Sequence, residues 1–495
     1  MLYPKRASFP IVVFFIVCAF LLIGCNSNQQ STKPLTVEEV RAIAKESYIY
    51  AFPMLEFYRV EYLNGVLLQQ FNKMLHMRDL KTCDDKTVVR PNNDTLYTIV
   101  HLDLRAEPHI LEVPAVTDRY YAFQLIDVYT HVPYFIGTRA TGTQSGKYLI
   151  AGPRWRGNVA PGLTGILRVE SDFIMLLGRT AVNGPYDLEA AHALQDQYKL
   201  YPLSDYTHDT PPVVPDLSFP VVDAAYPWNF NQGIWFLPGT PPLNPSIPGT
   251  PPYKEMSADF ITYLNFQLGR LQIAPSEYPL FRRFAQIGIG PDRSFDSSSL
   301  DASTLNAINL GIGDAKAQIN GEIANIRQAN GWTLLFDVWG NRARMEGRYT
   351  LRALAALIGL FGNPAEEAVY PSAFVDHAGQ PLDGTVNEYV ITFPAGQWPP
   401  VMPLGFWSLT MYDADGFLVY NPINRYSIGS LGKGYTTNPD GSLSIYLQSR
   451  TPAADKINNW LPAPQGSFSV TLRIYLPQDV ILHGQWTPPD IVKVN

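Results

Sequence analysis

Two stretches of the chain alternate apolar and polar residues, one in each half, and both predict β-structure. In the first half, the alternating runs cover residues 96–104, 120–128, 148–151, 165–169 and 173–178. In the second half, they cover residues 386–393, 406–412, 418–420, 442–448 and 467–476. A period of two places every second side chain on the same face of a strand, so each run can bury one face. Because turn sequences separate the runs, each stretch predicts a β-sandwich.

Helical spacing of apolar residues marks a second set of segments. Thr36 and Glu39 form a capping-box pattern, which predicts the start of a helix. We expect this helix to run to about Phe52, where Pro53 breaks or kinks it, and residues 55–77 to be helical as well. The other helical segments cover residues 187–198, 256–272, 276–287, 300–328 and 349–360. The middle third of the chain is therefore predicted to be mainly α-helical.

A proline-rich segment at residues 201–253 interrupts this order, with thirteen prolines in 53 residues. Proline at this density excludes a regular helix or a central strand. The segment is either an inter-domain linker or a strap held across the surface. The interleaved aromatic residues favour the strap, because linkers seldom carry several large apolar rings; they are Trp228, Phe230, Trp235 and Phe236.

These patterns predict a multidomain α+β protein with two antiparallel β-sandwiches joined by a mainly α-helical region. The predicted parts are a signal peptide (1–24), a tether (25–35), an N-terminal helical segment (36–86), a first β-sandwich (87–200), the strap (201–253), a helical domain (254–363) and a second β-sandwich (364–495).

The N-terminus carries a targeting pattern. Lys5 and Arg6 precede an apolar run at residues 11–23 that ends in Leu22-Ile23-Gly24-Cys25. The run is too short for a membrane span. It resembles a bacterial lipoprotein signal, which implies cleavage before Cys25 and lipid attachment to its thiol. An uncleaved anchor and an ordinary signal peptide are the alternatives. We therefore expect a protein of the bacterial cell envelope, held to a lipid bilayer through Cys25 and facing the periplasm or the surface.

Length, composition and charge narrow the function classes. A chain of 495 residues exceeds what one hydrophobic core usually serves, and its 46% apolar and 16% charged residues are typical of globular proteins. Removal of residues 1–24 leaves 35 basic and 44 acidic residues, a net charge of −9, so we expect no nucleic-acid partner. Cys83 is then the one remaining thiol besides Cys25, which excludes an internal disulfide. We interpret Cys83 as a small buried hydrophobe, with a nucleophile as the alternative.

Candidate catalytic residues lie at the start of the first β stretch. Asn92, Asn93 and Asp94 form a polar turn that could orient a hydroxyl group, a carboxylate or a hard cation. His101 and Asp103 lie two positions apart on one face of the following strand, which suits acid–base catalysis or binding of a divalent metal. The same residues equally fit a self-stabilised turn and a solvated strand face. The sequence contains no HExxH, Walker or paired CxxC motif.

The second β stretch offers binding groups. Arg425 could hold an anionic group through its guanidinium, or it could pair with an aspartate of the other sandwich. Tyr97, Tyr412 and Tyr426 could donate phenolic hydrogen bonds, although most tyrosines in sandwiches serve packing. We predict Asp94, His101 and Asp103 as catalytic residues. The predicted substrate-binding residues are Asn92, Asn93, Tyr97, Tyr412, Arg425 and Tyr426.

The chain resembles a tandem pair of bacterial domains of unknown function, those numbered twelve fifty-four and twelve fourteen. The first resemblance depends on Arg90-Pro91-Asn92-Asn93-Asp94-Thr95-Leu96-Tyr97, Arg119-Tyr120-Tyr121 and Gly178-Arg179-Thr180. The second depends on Phe406-Trp407-Ser408-Leu409-Thr410-Met411-Tyr412, Asn421-Pro422-Ile423-Asn424-Arg425-Tyr426 and Arg473-Ile474-Tyr475. The resemblance implies that both sandwiches are of a jelly-roll-like type, and it implies no settled activity.

Three functions are compatible with these features. The first is an extracytoplasmic hydrolase or lyase that acts on a small polar or anionic substrate where the two sandwiches meet. The second is a non-catalytic surface lipoprotein that binds a glycan or another ligand through Trp228, Trp235 and Trp398, and the third is a structural component of the envelope. We expect no organic cofactor, whereas a divalent cation and a homo-oligomer are left open.

Overall fold

Both predicted β stretches form sheets. The computed structural model describes residues 34–86, 90–222, 257–432 and 434–494. The signal, Cys25, most of the tether and residues 223–253 of the strap lie outside these ranges. The strands of the first half are β1 (Leu75–His76), β2 (Thr95–Asp103), β3 (His109–Val113), β4 (Tyr121–Asp127), β5 (Tyr134–Gly137), β6 (Gly146–Ala151), β7 (Gly165–Arg168), β8 (Phe173–Ala181) and β9 (Lys199–Pro202).

The strands of the second half begin with two short ones, which precede the last two helices of the helical region. The strands of this half are β10 (Gln328–Ala329), β11 (Trp332–Thr333), β12 (Ala368–Val369), β13 (Ser372–Ala373), β14 (Tyr389–Phe393), β15 (Val401–Asp413), β16 (Ser427–Gly429), β17 (Leu443–Gln448), β18 (Trp460–Pro462), β19 (Phe468–Pro477) and β20 (Ile491–Lys493). Residues 418–420, predicted as a strand, make only an isolated bridge between Leu418 and Tyr412.

Each half contains two sheets that share one apolar core. In the first half, a five-stranded sheet in the order β1-β2-β8-β4-β5 faces a four-stranded sheet in the order β7-β6-β3-β9. In the second half, a seven-stranded sheet containing β10-β11-β13-β19-β15-β16 faces a four-stranded sheet in the order β18-β17-β14-β20. The sheets are mixed and not wholly antiparallel as predicted, because β6–β7 and β17–β18 are parallel pairs.

Most of the helices lie between the two β halves or N-terminal to the first. The helices are α1 (Val37–Glu61), α2 (Leu188–Gln195), α3 (Leu203–Thr207), α4 (Phe260–Leu268), α5 (Tyr278–Phe284), α6 (Ala302–Gly321), α7 (Arg342–Met345), α8 (Tyr349–Gly359) and α9 (Asp479–Leu482). Of these, α2 lies within the first half and α9 within the second. Helix α1 packs against α4, α6 and α8, so the N-terminal segment and the middle helices form one layer. Val37–Asn495 constitutes one compact unit.

Helix α1 does not end at Pro53 as predicted. It continues to Glu61 and into a π-helical turn at Tyr62–Leu67, so residues 68–77 are not helical. Pro53 lacks an N–H group and disturbs the hydrogen bonds of the preceding turn. Arg352 donates to the carbonyl of Tyr50 at 2.7 Å, and Gln267 donates to the carbonyl of Met54 at 2.7 Å. These side-chain donors and the nearly complete burial of the helix around the proline hold it together.

The seven-stranded sheet has one apolar and one polar face, which follows from strand alternation. Leu409 and Met411 of β15 and Leu472 of β19 enter the apolar core. The opposite face pairs Ser408 with Arg473, Thr410 with Thr471 and Tyr412 with Ser469 across β15 and β19. The segment at residues 90–94, which precedes β2, covers this polar face. No helix among the described residues is both long and apolar enough to cross a membrane.

Candidate functional site

The turn before β2 connects the two β halves. The Asn92 side chain accepts a hydrogen bond from the backbone N–H of Asp94 at 2.6 Å. It also donates to the hydroxyl of Thr95 at 3.0 Å and to the phenol of Tyr475 at 2.9 Å. The first contact is the local bond expected of an asparagine in a turn. The bond to Tyr475 ties this turn to β19 of the other β half. We call the contact between the turn at residues 90–94 and the strands β15, β16 and β19 the junction.

Asp94 is the central acidic group of this junction. It is 7% exposed, and its Oδ1 accepts a hydrogen bond from Ser427 at 3.2 Å. Its Oδ2 is buried and has no hydrogen-bond partner among the residues that the structure describes. Burial raises the pKa of Asp94, and the charge of Arg473 and the hydroxyls of Ser408 and Ser427 oppose this shift. A raised pKa favours a protonated carboxyl that can exchange its proton.

Ser408 contributes a second buried polar atom. Ser408 is 2% exposed, and its Oγ has no well-formed hydrogen bond within the described part of the chain, although its hydroxyl faces the carboxyl of Asp94. The hydroxyl nevertheless lies close enough to Asp94 to lower the pKa of that carboxyl. Most buried polar atoms in proteins have a partner. Two such atoms beside each other, one an acceptor and one a hydroxyl, can together bind a hydroxyl group of a ligand.

Arg473 supplies the positive charge beside Asp94. Its guanidinium donates to Thr410 Oγ1 at 2.8 Å, to the phenol of Tyr412 at 2.5 Å and to the carbonyl of Arg90 at 3.0 Å. Burial opposes the charge, but Tyr412 and Asp94 raise the pKa of Arg473 above its usual value. The guanidinium is therefore held rigidly and fixes the electrostatic field at the carboxyl group of Asp94.

A second arginine, which belongs to the turn before β2, binds side chains of β19. Arg90 donates to Thr471 Oγ1 at 3.0 Å and to Ser469 Oγ at 2.8 Å. Its guanidinium lies 4.8 Å from the ring centre of Phe374 and 5.2 Å from that of Tyr412, in cation–π contact. Burial lowers the pKa of Arg90 to about 10. The residue adopts a left-handed backbone conformation, with φ 52°, which these contacts stabilise.

The three predicted tyrosines lie in or beside this junction. Tyr412 donates to the carbonyl of Pro91 at 2.8 Å. The hydroxyl of Tyr426 lies 3.4 Å from the sulfur of Cys83. Cys83 itself is half-buried, and not deeply buried as the sequence predicted. Tyr97 packs under the guanidinium of Arg179, with 5.7 Å between Arg179 Cζ and the ring centre. The tyrosines therefore brace the surroundings of Asp94.

Asn93, the remaining predicted residue of the turn, contacts the segment before the turn and strand β16. Its side chain donates to the carbonyl of Lys81 at 2.5 Å and lies 3.4 Å from Ser427 Oγ. Asn93 and Ser427 are half-buried, whereas Asp94 behind them is buried. Asn93 and Ser427 are therefore more exposed than the carboxyl of Asp94 that they adjoin.

His101 and Asp103 do not form the acid–base pair that their spacing predicts. Asp103 binds Arg105, with 2.9 Å from Oδ1 to Nε and 2.6 Å from Oδ2 to Nη2. His101 is buried, and neither of its ring nitrogens has a hydrogen-bond partner among the described residues. Burial lowers its pKa to about 4, which keeps the imidazole neutral at pH 7. The two residues lie toward the far end of β2, seven and nine positions beyond Asp94.

Arg425 is engaged within its own region and not beside Asp94. Its Nη1 donates to the carbonyls of Ile457 at 2.7 Å and Trp460 at 2.9 Å. The charge that acts on Asp94 comes from Arg473 instead. Sequence reasoning missed Arg473, Ser408 and Ser427 as site residues. The available signal was the row of polar residues at alternating positions of β15 and β19, whose intervening residues are apolar.

Residues able to hold a metal lie elsewhere. The Asn92 side-chain oxygen at the turn already accepts the N–H of Asp94. Within the described ranges, the group of three metal-ligating side chains close to one another is Asp127, His131 and Glu170. His101 and Asp103 do not belong to such a group.

Two family models match parts of the chain that together make up about half of its length. The model of a family described as protein of unknown function (DUF1254) matches residues 71–202, and that of a second such family (DUF1214) matches residues 367–479. These matches confirm the resemblance that the motifs around Asp94 and Tyr412 indicated. No curated protein matches the chain.

Solved structures resemble the chain in fold. The crystal structure of the VPA0106 protein from Vibrio parahaemolyticus aligns with a TM-score of 0.70 at 23% identity, over 93% of this chain and 100% of that one. An uncharacterised protein from Burkholderia cenocepacia aligns with a TM-score of 0.41 at 13% identity, over 91% of this chain and 88% of that one. The first likeness supports the α+β fold alone.

Proposed function

This chain carries the DUF1254 and DUF1214 domains in tandem, and from the junction between them we propose an enzyme of the hydrolase or lyase type. The substrate is a small polar or anionic molecule that bears a hydroxyl group. The observation that carries the proposal is the buried carboxyl of Asp94, with a raised pKa and an oxygen that has no partner within the described residues. In this proposal the two β units keep the jelly-roll-like form that the family resemblance implies.

Asp94 acts as the general acid–base in this scheme. Proton transfer by a positioned carboxyl group is most efficient when its pKa approaches the working pH, which burial favours here. The Oδ2 atom receives the proton of the substrate hydroxyl or returns it to the leaving group. Ser427 holds Oδ1 at 3.2 Å and so orients the carboxyl group.

In the same scheme, Ser408 binds the substrate oxygen and Arg473 stabilises the negative charge that develops on it. The Ser408 hydroxyl, which faces the carboxyl of Asp94 without a well-formed hydrogen bond in the described chain, donates to the substrate oxygen whose proton Asp94 takes. Arg473 is held by three acceptors and stabilises negative charge as it develops near Asp94. Asn92 and Tyr412 position the turn and the guanidinium, and they serve the reaction through these residues.

Two aspartate variants, one at the site and one away from it, test the proposed role of Asp94. The unmodified protein is incubated with a panel of small hydroxylated acids, polyols and sugars, and product formation is followed by NMR. We expect Asp94→Asn to lower turnover about 100-fold or more, because the amide cannot exchange the proton. Asp376→Asn is the matched control, since Asp376 is also buried but accepts two backbone N–H bonds in its own turn.

The outcomes separate the candidate functions. Unchanged turnover in Asp94→Asn contradicts the assignment of Asp94. Saturable binding without turnover, weakened in Ser408→Ala, indicates a binding protein instead. A platform that includes Trp398 receives little support, because this half-buried ring packs at 5.7 Å against Tyr435 and the second core. Trp228 and Trp235 lie outside the described residues.

We also propose that the mature protein is anchored in the bacterial envelope through a lipid on Cys25. The support is the basic and apolar pattern before this cysteine. Metabolic labelling with radioactive palmitate in a bacterial host tests the proposal. We expect label on the native chain and on Cys83→Ala, and its loss in Cys25→Ala. Equal labelling of Cys25→Ala contradicts the anchor.

A further inference from the structure

Three potential metal ligands converge where β4 ends, away from Asp94. Asp127 is the last residue of β4, and its Oδ1 accepts the backbone N–H of His131 at 2.9 Å. This bond closes a tight turn and brings the imidazole back toward the carboxylate. Asp127 pairs with Ile174 of β8, so Glu170, four positions before Ile174, reaches the same corner of the sheet.

The ligand atoms already lie close together. One atom from each of Asp127, His131 and Glu170 falls within 4.8 Å of the others, and Nδ1 of His131 lies 3.7 Å from Oδ2 of Asp127. His131 is 2% exposed, and its Nδ1 has no hydrogen-bond partner within the described ranges. A buried imidazole nitrogen that lies 3.7 Å from a carboxylate oxygen, beyond hydrogen-bond distance, is unusual, and it points to a ligand between them.

Neighbouring side chains fix the orientation of these groups. The His131 ring stacks on Tyr129, with 5.4 Å between ring centres and 26° between planes. Arg342 lies 4.4 Å from the centre of the Tyr129 ring and binds Oε2 of Glu170 through Nε at 2.5 Å. Such outer partners orient metal ligands in known sites. Glu170 is half-buried, so the corner opens to solvent on its side.

We propose that Asp127, His131 and Glu170 bind one divalent transition-metal ion of the Mn²⁺ or Zn²⁺ class. One imidazole nitrogen and two carboxylate oxygens suit these ions better than Mg²⁺ or Ca²⁺, which prefer oxygen alone. The two carboxylates oppose the charge of the ion, and Glu277, 3.5 Å from Arg342 Nη1, opposes the charge of that guanidinium. Bonds of about 2.0–2.2 Å place adjacent ligand atoms about 3–3.5 Å apart, so the separation of 3.7 Å needs only a small contraction. Three protein ligands leave positions for water or a further ligand.

Metal titration of the full-length, untagged protein tests this site. After EDTA treatment and dialysis in detergent, MnCl₂ is added and free Mn²⁺ is measured by its EPR signal, with ZnCl₂ as competitor. We expect one tightly bound ion per chain. We expect His131→Ala and Asp127→Asn to weaken binding at least about tenfold, since each removes a ligand. His76→Ala is the matched control and keeps the affinity, because Nδ1 of His76 already lies 2.9 Å from Thr98 Oγ1.

A second measurement uses the native chain, so it does not depend on whether the variants fold. Pulsed EPR of Mn²⁺ bound to the native chain reports a directly coordinated nitrogen, which we expect from His131. Absence of nitrogen coupling overturns the proposal. So does a native chain that binds neither Mn²⁺ nor Zn²⁺, or binding that survives unchanged in both folded variants. These outcomes do not depend on Asp94 and leave the proposed catalytic role untouched.

Discussion

Ser427 donates a hydrogen bond of 3.2 Å to Oδ1 of Asp94, although the two residues are 333 positions apart. Asp94 belongs to the turn before β2, and Ser427 begins β16 of the other β half. Neither half can therefore orient this carboxyl by itself. The same turn reaches β19 through the bond from Asn92 to Tyr475. The surroundings of Asp94 are therefore built from both β halves.

Replacing Arg473 tests how strongly the junction depends on charge. We expect Arg473→Met to reduce the free energy of unfolding by about 3–5 kcal/mol, because it leaves Asp94 buried without its counter-charge. Urea denaturation at pH 7 measures the loss.

Two comparisons accompany this variant. Arg450→Met removes an exposed ion pair with Glu388 and should change the same free energy by less than about 1 kcal/mol. The double variant Asp94→Asn, Arg473→Met should recover about 0.5–3 kcal/mol of the loss expected from the two single variants. Strict additivity would mean that the two residues do not interact.

His101 makes the fold sensitive to acid. Burial lowers its pKa to about 4 from an ordinary value of 6.5, so the unfolded chain binds a proton that the folded chain rejects. The stability that the neutral imidazole contributes is complete above pH 6.5 and is lost as the pH falls toward 4. The loss from this residue is about 3 kcal/mol.

Denaturation curves between pH 7 and pH 4 measure this contribution. We expect His101→Phe to flatten the pH dependence of the unfolding free energy by roughly this amount. His208→Gln, at an exposed position, should leave the curve unchanged. A native slope that persists in His101→Phe would assign the acid sensitivity to other groups.

Glu61 acts in the opposite direction. It is 1% exposed, its Oε2 has no partner within the described chain, and burial raises the pKa of Glu61 well above its ordinary value. The stability associated with its protonated form is complete below pH 4.5 and is lost as the pH rises through the folded-state pKa. We expect Glu61→Gln to match the native chain near pH 4 and to unfold at a higher temperature at pH 8.

Thermal unfolding at the two pH values gives the measurement. The gain should be present at pH 8 and absent near pH 4, because only the raised pKa of Glu61 separates the two conditions. Glu346→Gln changes an exposed glutamate and should produce no such difference between the two pH values. An equal gain at pH 4 and pH 8 would attribute the effect to packing and not to proton linkage.

Alternation predicted the strands well because it reflects burial directly. Residues 95–103, 121–127, 443–448 and 468–477 form strands close to the predicted runs. The course of α1 beyond Pro53 could not be predicted in this way. The donors that support it, Arg352 and Gln267, lie 302 and 213 positions from the carbonyls they bind.

The candidate site was predictable only in its local part. Turn chemistry singled out Asn92 and Asp94, and the structure brings them together with Tyr412 and Ser427. Arg473 was not distinguishable from Arg425, because either arginine could have faced the turn. The difference depends on which face of β19 is covered, and a single sequence does not contain that pairing.

Two glycines of α6 offer a matched test of the helical layer. A Cβ atom at Gly311 would lie 2.5 Å from the carbonyl oxygen of Arg41 and 2.8 Å from Cβ of Ala44, both in α1. Gly313 lies two residues further along α6 and is exposed, and a Cβ atom there would meet nothing within 4 Å. We expect Gly311→Ala to lower the free energy of unfolding by about 1–3 kcal/mol through overpacking. Gly313→Ala should raise it by about 1 kcal/mol, since alanine favours the helix. Urea denaturation of both variants measures the contrast, and equal effects would mean that α1 and α6 are not in close contact in solution.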